Sequence, residues 1–135
     1  MGNAALGSIL LGTTDPVRLR AWYRAALAPD DTGAGFIDFG GIGILIDGRS
    51  DVDEKNPQPG RLILNFHVPD ARALAAHLDE VGVTWVAELT ERDAGLFGTF
   101  QDPDGNYLQI IQLSDAYLAE QTGRSVARTT HEEIR

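Results

Sequence analysis

The feature that most constrains this chain is an internal repeat. Ser8–Asp15 and Ile63–Asp70 are both short apolar runs that end in aspartate and lead into a helical spacing of apolar residues. Aspartate is a favoured N-cap residue, and the proline that follows Asp15 suits the first turn of a helix. The repeat therefore predicts two strand–helix units, with helices at 16–27 and 70–81.

A second pair of matching segments shows that the two copies differ in length. Gly41–Ile46 and Gly105–Ile110 both open at a glycine turn. Their separation along the sequence exceeds that of the first pair of segments by about the length of one strand and its turn. We therefore expect the first copy to lack one strand. The predicted strands are 8–14, 35–40 and 42–47 in the first copy and 62–68, 83–89, 95–101 and 106–113 in the second.

These elements predict one domain over 1–135 that is built from two βαβββ-type modules, the first of them shortened. Module one spans about 6–47, 48–60 is a proline-containing linker, and module two spans about 61–113. Residues 114–135 are expected to start as a short helix and continue as a polar tail. The fold class is α+β: a cup-shaped mixed sheet, with the helices outside and the uncovered sheet faces meeting each other.

Alternation along the strands separates the two faces of this sheet. The residues expected to face the helices are Ile9, Leu11, Ile44, Ile46, Leu64, Phe66, Leu108 and Ile110. The residues expected to line the cup are Ser8, Leu10, Gly12, Leu45, Asp47, Ile63, Asn65, His67, Tyr107, Gln109 and Ile111. Because the second set mixes apolar and polar side chains, it is typical of a small-molecule pocket.

Composition narrows the possible partners. A chain of 135 residues with 43% hydrophobic and 23% charged residues has the composition of a packed globular protein. It has no cysteine, no basic N-terminal leader and no apolar run of about 18 residues, so we expect a cytoplasmic protein without a membrane span. The net charge of −9 argues against nucleic acid and leaves cationic ligands open.

The most specific motif is Phe100–Asn106, which reads FQDPDGN and leads into the last predicted strand. Asp-Pro starts a turn, and Gly105 provides a positive φ. Together with the repeat and the aspartate-capped helices, this hairpin closely resembles that of the vicinal oxygen chelate superfamily, which includes glyoxalase I, extradiol dioxygenases and bleomycin-resistance proteins. The resemblance covers roughly 6–113.

The resemblance also implies where a metal ion would bind. Metal-dependent members use His or Glu at four positions, which correspond here to Ser8, Leu45, Ile63 and Gln109. Leucine and isoleucine have no donor atom, and serine is a poor ligand for the ions concerned, so we expect no metal and no cofactor. A register shift of two residues would instead offer His67, Asp47 and Gln109, although it would break the alignment of the helices.

Members without a metal include drug-sequestering proteins, so we expect a metal-independent binder of a small molecule, such as an aromatic natural product. The residues predicted to contact the ligand are Asn65, His67, Trp85, Tyr107, Gln109, Asp47 and Arg49. Two alternatives remain open: a metal-dependent lyase, isomerase or dioxygenase around His67, with His67 and Asp47 as weak catalytic candidates, and a structural module whose cup is filled. The resemblance and the less covered sheet edge of module one favour a homodimer.

Overall fold

A computed structural model describes residues 2–33 and 35–122. Module one contains β1 (Ser8–Thr13), α1 (Pro16–Leu27), β2 (Ile37–Phe39) and β3 (Ile42–Gly48). Module two contains β4 (Leu64–His67), α2 (Ala71–Val81), β5 (Thr84–Arg92), β6 (Gly95–Gln101) and β7 (Tyr107–Leu113). A 3₁₀ turn, Pro59–Arg61, ends the segment between them. No helix in the described part of the chain is long and apolar enough to cross a membrane.

Both repeat helices begin as the sequence predicts. The Asp15 carboxylate accepts a hydrogen bond from the backbone N–H of Arg18 at 3.2 Å, and that of Asp70 accepts one from Ala73 at 3.0 Å. Gly82 ends α2 in the left-handed conformation, with φ of 89°. A further helix at 115–122 follows Ser114, and the rest of the predicted tail lies outside the described residues.

The strands form two mixed sheets, which confirms the α+β class and the shortened first module. Sheet A has the order β1-β3-β2, and sheet B has the order β4-β7-β6-β5. In each sheet the first strand of the module pairs in parallel with the last one, and the remaining pairs are antiparallel. Sheet A therefore has no counterpart of β5, which accounts for the one strand that the spacing of the repeat predicts to be absent from module one.

The helix side of each sheet contributes to one hydrophobic core shared by the modules. The eight residues predicted to face the helices are all buried or half-buried in it. Trp22 of α1 packs near Phe100 of β6, with ring centroids 6.4 Å apart, and Phe39 meets Phe66 edge to face at 5.1 Å. The modules thus contact each other through their helix sides.

The opposite face of each sheet is here called its outer face, and that of sheet A is open to solvent within one chain. Leu10 and Leu45 on sheet A are 51% and 39% exposed, and Ile63 beside β4 is 38% exposed. The predicted meeting of these faces does not occur within a single chain, because the helices and the shared core join the modules on the other side. The outer face of sheet A therefore presents apolar side chains that its own chain leaves uncovered, whereas Ile111 on the outer face of sheet B is only 6% exposed.

Candidate functional site

The FQDPDGN hairpin joins the two modules through its aspartates. Tyr23 of α1 donates a hydrogen bond to the Asp102 carboxylate at 2.6 Å, and Thr13 at the end of β1 donates one to Asp104, also at 2.6 Å. All four side chains are buried. The motif that carried the family resemblance thus binds module one to module two.

Asp102 also organises its own turn. Its carboxylate accepts hydrogen bonds from the backbone N–H groups of Asp104 and Asn106, at 2.8 and 3.0 Å, and from the Asn106 amide. Burial raises the pKa of Asp102, although these hydrogen bonds and that of Tyr23 oppose the shift. Burial, followed by the charge of Asp102, raises the pKa of Tyr23 well above its ordinary value. With every oxygen of Asp102 engaged in holding the turn, the hairpin serves as a structural clamp.

The outer face of sheet A combines an apolar centre with charged side chains at one end. Leu10 and Leu45 are register partners across β1 and β3, and Phe36, just before β2, lies against Gly43. Beyond them, Gly12 pairs with Asp47, and the stem of Arg49 lies over Gly12. Phe36 was not predicted to lie on this face, since its only sequence signal is that the next residue, Ile37, faces the helix.

The outer face of sheet B is more polar. Register pairs place Asn65 beside Gln109, and Gln109 beside Thr99, on the same face. His67 and Ile111 form the next pair, and Phe97 is opposite Ile111 on β6. Tyr107 lies on this face as well, two residues before Gln109. The predicted residues Asn65, His67, Tyr107 and Gln109 are therefore brought together.

Trp85 does not join them. It is the register partner of the buried Phe100, its ring meets that of Phe100 edge to face at 5.5 Å, and its indole N–H donates to Asp79 of α2 at 2.7 Å. These contacts hold the indole on the helix side of sheet B. Its predicted place in the binding face is corrected accordingly, because the pairing of β5 with β6 decides which face Trp85 occupies.

His67 and Asp47 are not paired either. His67 is on sheet B and Asp47 is on sheet A, where its carboxylate accepts a hydrogen bond from the backbone of Gly48. No hydrogen bond or ion pair between the two is found in the described part of the chain. The arrangement gives no support to an acid–base pair within one chain.

The family's metal positions do not fit a metal ion here. Ser8 and Leu45 lie on sheet A, whereas Ile63 and Gln109 belong to the outer face of sheet B, and the set contains neither imidazole nor carboxylate. Within residues 2–33 and 35–122, no three His, Asp or Glu side chains are grouped so as to hold an ion. The donor chemistry of these positions thus disagrees with the metal site that the superfamily implies.

A separate cavity of about 480 Å³ lies on the helix side, between the modules. Sheet A contributes Ile9 and Phe39, the helices contribute Leu27 and Leu74, and β4 provides Phe66 among others. Because β4 is an edge strand of sheet B, Asn65 and His67 also border this cavity, although they alternate with the residues that face the helices. Its size is within the range of small-molecule sites, and its lining is mainly apolar.

The α+β fold, in which a shortened βαββ module precedes a complete βαβββ module, has the architecture of the vicinal oxygen chelate proteins. The profile of the glyoxalase-like domain family matches residues 8–111, and the chain belongs to this family. No curated protein has a significantly similar sequence.

Solved structures share the fold at low sequence identity. TnmS3, described as an antibiotic binding protein from Streptomyces sp. CB03234, is 20% identical with a TM-score of 0.64, over 84% of this chain and 99% of TnmS3. A glyoxylase/bleomycin resistance protein/dioxygenase domain from Frankia sp. EAN1pec is 19% identical with a TM-score of 0.66, over 84% of this chain and 100% of the other. A structure described as a glyoxalase/bleomycin resistance protein/dioxygenase family enzyme, from Burkholderia phytofirmans PsJN, is 19% identical with a TM-score of 0.63, over 82% of this chain and 100% of the other.

Proposed function

We propose that this protein is a metal-independent small-molecule binder of the glyoxalase/bleomycin-resistance type, which takes an aromatic natural product on its outer sheet faces. The observation that carries the proposal is the composition of these faces. Sheet A offers Leu10, Leu45 and Phe36 to solvent, and sheet B offers amide and imidazole groups from Asn65, Gln109 and His67. Apolar area with a few placed polar groups is what binds small organic molecules.

The proposal includes a second copy of the chain. In the described part of the chain, β1 and β4 each pair with one neighbour only, so each has a free edge. We infer that two chains associate so that sheet A of one and sheet B of the other form a shared concave surface. Sedimentation velocity is expected to show a dimer at micromolar concentration, and a monomer over the whole accessible range would contradict this arrangement.

The likeness to TnmS3 supports the choice of ligand class, since that protein is described as antibiotic-binding. The enzyme alternative receives less support, because the superfamily's metal positions carry Ser8, Leu45, Ile63 and Gln109. The filled-cup alternative receives less support as well, because Leu10 and Leu45 are not covered by side chains of their own chain. Elemental analysis after incubation with zinc, nickel, iron and manganese tests whether the protein binds a metal ion. One bound ion per chain would favour the enzyme alternative.

The binding test uses a panel of aromatic natural products, with thermal shift and calorimetry as the measurements. Leu45→Asp, on the outer face, is expected to abolish binding without unfolding the protein. Val17→Asp is the matched control, because Val17 is 73% exposed on α1. If no compound binds, the proposal fails. If Leu45→Asp still binds while Leu74→Phe does not, the ligand occupies the cavity between the modules and the proposed location is wrong.

A further inference from the structure

Two glycines on the outer face of sheet A make room for the side chains of other residues. A methyl group on Gly43 would lie 2.5 Å from Cδ2 of Phe36, and one on Gly12 would lie 2.6 Å from Cδ of Arg49. Both distances are far shorter than a van der Waals contact. The Phe36 ring and the Arg49 stem therefore lie where side chains at 43 and 12 would otherwise project.

These two side chains lie at opposite ends of an apolar floor. The register of β1 with β3 runs from the Ser8–Gly43 pair, through the Leu10–Leu45 pair, to the Gly12–Asp47 pair. At the strand rise, Gly43 and Asp47 are roughly 13 Å apart. We call this surface the glycine trough, and it consists of Leu10, Gly12, Phe36, Gly43, Leu45 and Arg49.

The end of the trough at Arg49 is held in place. The Arg49 Nε and Nη2 atoms donate to the two oxygens of Asp51 at 2.8 and 2.7 Å, which is a bidentate ion pair. The pair orients the guanidinium plane and offsets its charge locally. A weakly hydrated, planar guanidinium stacks readily on aromatic rings.

The other end is formed by Phe36, a residue that is 58% exposed. An aromatic ring that rests on a glycine offers its free surface to a partner, and stacked or edge-to-face pairs of rings contribute beyond the area they bury. The floor between the ends carries only leucine side chains, so nothing on it requires a hydrogen bond from a ligand. Flat, apolar ligands match such a floor better than twisted ones.

Resting on the proposed function, we infer that the glycine trough selects planar, fused-ring aromatic ligands, and that Gly12 and Gly43 are the specificity-determining positions. A side chain at position 43 would push the Phe36 ring off the sheet, and one at position 12 would displace the Arg49 stem. Either change would replace a flat surface with a raised one. Phe36 and Arg49 provide the contacts, and the glycines position them.

The test compares acridone, which is planar and fused, with benzophenone, which has the same number of carbon atoms but is twisted. Calorimetry on the wild-type chain is expected to show at least about tenfold tighter binding of acridone. Gly43→Ala and Phe36→Ala are each expected to remove most of this preference, and the double variant should lose no more than either single variant. Gly48→Ala is the control on the same strand, because its methyl group would make an ordinary 3.6 Å contact with Pro16.

The outcomes separate this inference from the proposed function. Equal binding of the two probes by the wild type overturns the inference and leaves the proposed function standing. Failure of both probes, in a protein that binds other aromatic compounds, also overturns the inference alone. If Gly43→Ala weakens both probes equally, its effect is structural and the inference is wrong. Thermal unfolding of each variant verifies that the fold is retained.

Discussion

The hydroxyl of Tyr23 and the carboxylate of Asp102 are 2.6 Å apart and join the first helix of module one to the last hairpin of module two. Both side chains are buried. A buried carboxylate is stable only while its oxygens are hydrogen-bonded. This contact therefore links the stability of the hairpin to the docking of the modules.

Tyr23→Phe is expected to destabilise the protein by about 1.5–3 kcal/mol, the usual contribution of a hydrogen bond to a charged group. The ring is retained, so the loss reports the hydroxyl alone. Urea unfolding measures it, with Tyr107→Phe as the control, because within the described chain the Tyr107 hydroxyl makes no hydrogen bond. A loss equal to that of the control would show that water satisfies Asp102.

Because of the Tyr23 hydroxyl, we also expect the protein to be less stable at alkaline pH. Because the pKa of Tyr23 is raised in the fold above its unfolded value of 10.0, the folded state keeps a proton that the unfolded state releases. The contribution is complete below about pH 10 and is lost as the pH rises further. Unfolding free energies from about pH 8 to about pH 11 should show the wild-type advantage over Tyr23→Phe shrinking above pH 10. A constant difference would contradict the raised pKa.

Thr13→Val tests the second contact between the modules. The Thr13 hydroxyl donates to Asp104 and accepts a hydrogen bond from the backbone of Asp15 at 3.1 Å. Valine has a similar shape, so we expect a loss of about 1–3 kcal/mol from the unpaired groups. Thr14→Val, at an exposed neighbouring position, should change the free energy of unfolding by no more than about 0.5 kcal/mol. Equal changes in the free energy of unfolding for the two variants would show that the contact between Thr13 and Asp104 does not stabilise the protein.

Of the substitutions discussed in this section, we expect Gly95→Ala to destabilise the protein most. Its φ is 146°, and a methyl group there would lie 2.0 Å from the carbonyl oxygen of Gln112 on β7. Because the neighbouring atom belongs to the backbone, it cannot move aside as a side chain would. Gly95→Ala should cost about 3 kcal/mol or more, measured by thermal or chemical unfolding. Gly60→Ala, with open space around it, is the control and should be close to neutral.

Trp85→Phe separates a structural role from a binding role. The indole is hydrogen-bonded to Asp79 and packed on Phe100, so the variant should lose roughly 1 kcal/mol of stability. Its affinity for any outer-face ligand should stay within about twofold, because the residue lies on the opposite side of the sheet. A tenfold loss of affinity with an unchanged melting temperature would restore Trp85 to the site.

The secondary structure and the missing strand could be predicted because both are local. The helix bounds 16–27 agree with the structure, and the spacing of the two glycine turns predicts that module one lacks one strand, which the structure shows to be the counterpart of β5. Aspartate caps and glycine turns depend on a few neighbouring residues, so the sequence carries them directly. The faces of β1, β3, β4 and β7 followed from the alternation of apolar residues in the same way.

The arrangement of the modules and the face of Trp85 could not be predicted, because both depend on non-local contacts. Alternation indicates which residues share a face, but it does not show that the helix sides of the two sheets meet through Trp22 and Phe100. The face of Trp85 depends on a strand pairing with two register irregularities. The position of Phe36 depends on the absence of a side chain at Gly43, which no periodicity records.

The absent strand also makes the two halves of the repeat unequal in width. Sheet A ends at β2, which has three residues, whereas sheet B extends by a further strand of nine residues. In the dimer that we propose, a surface shared by one sheet of each kind would extend further on the β5 side than on the β2 side. If that dimer forms, the two ends of a long ligand bound on the shared surface would differ in their surroundings, because only one of them would lie beside β5.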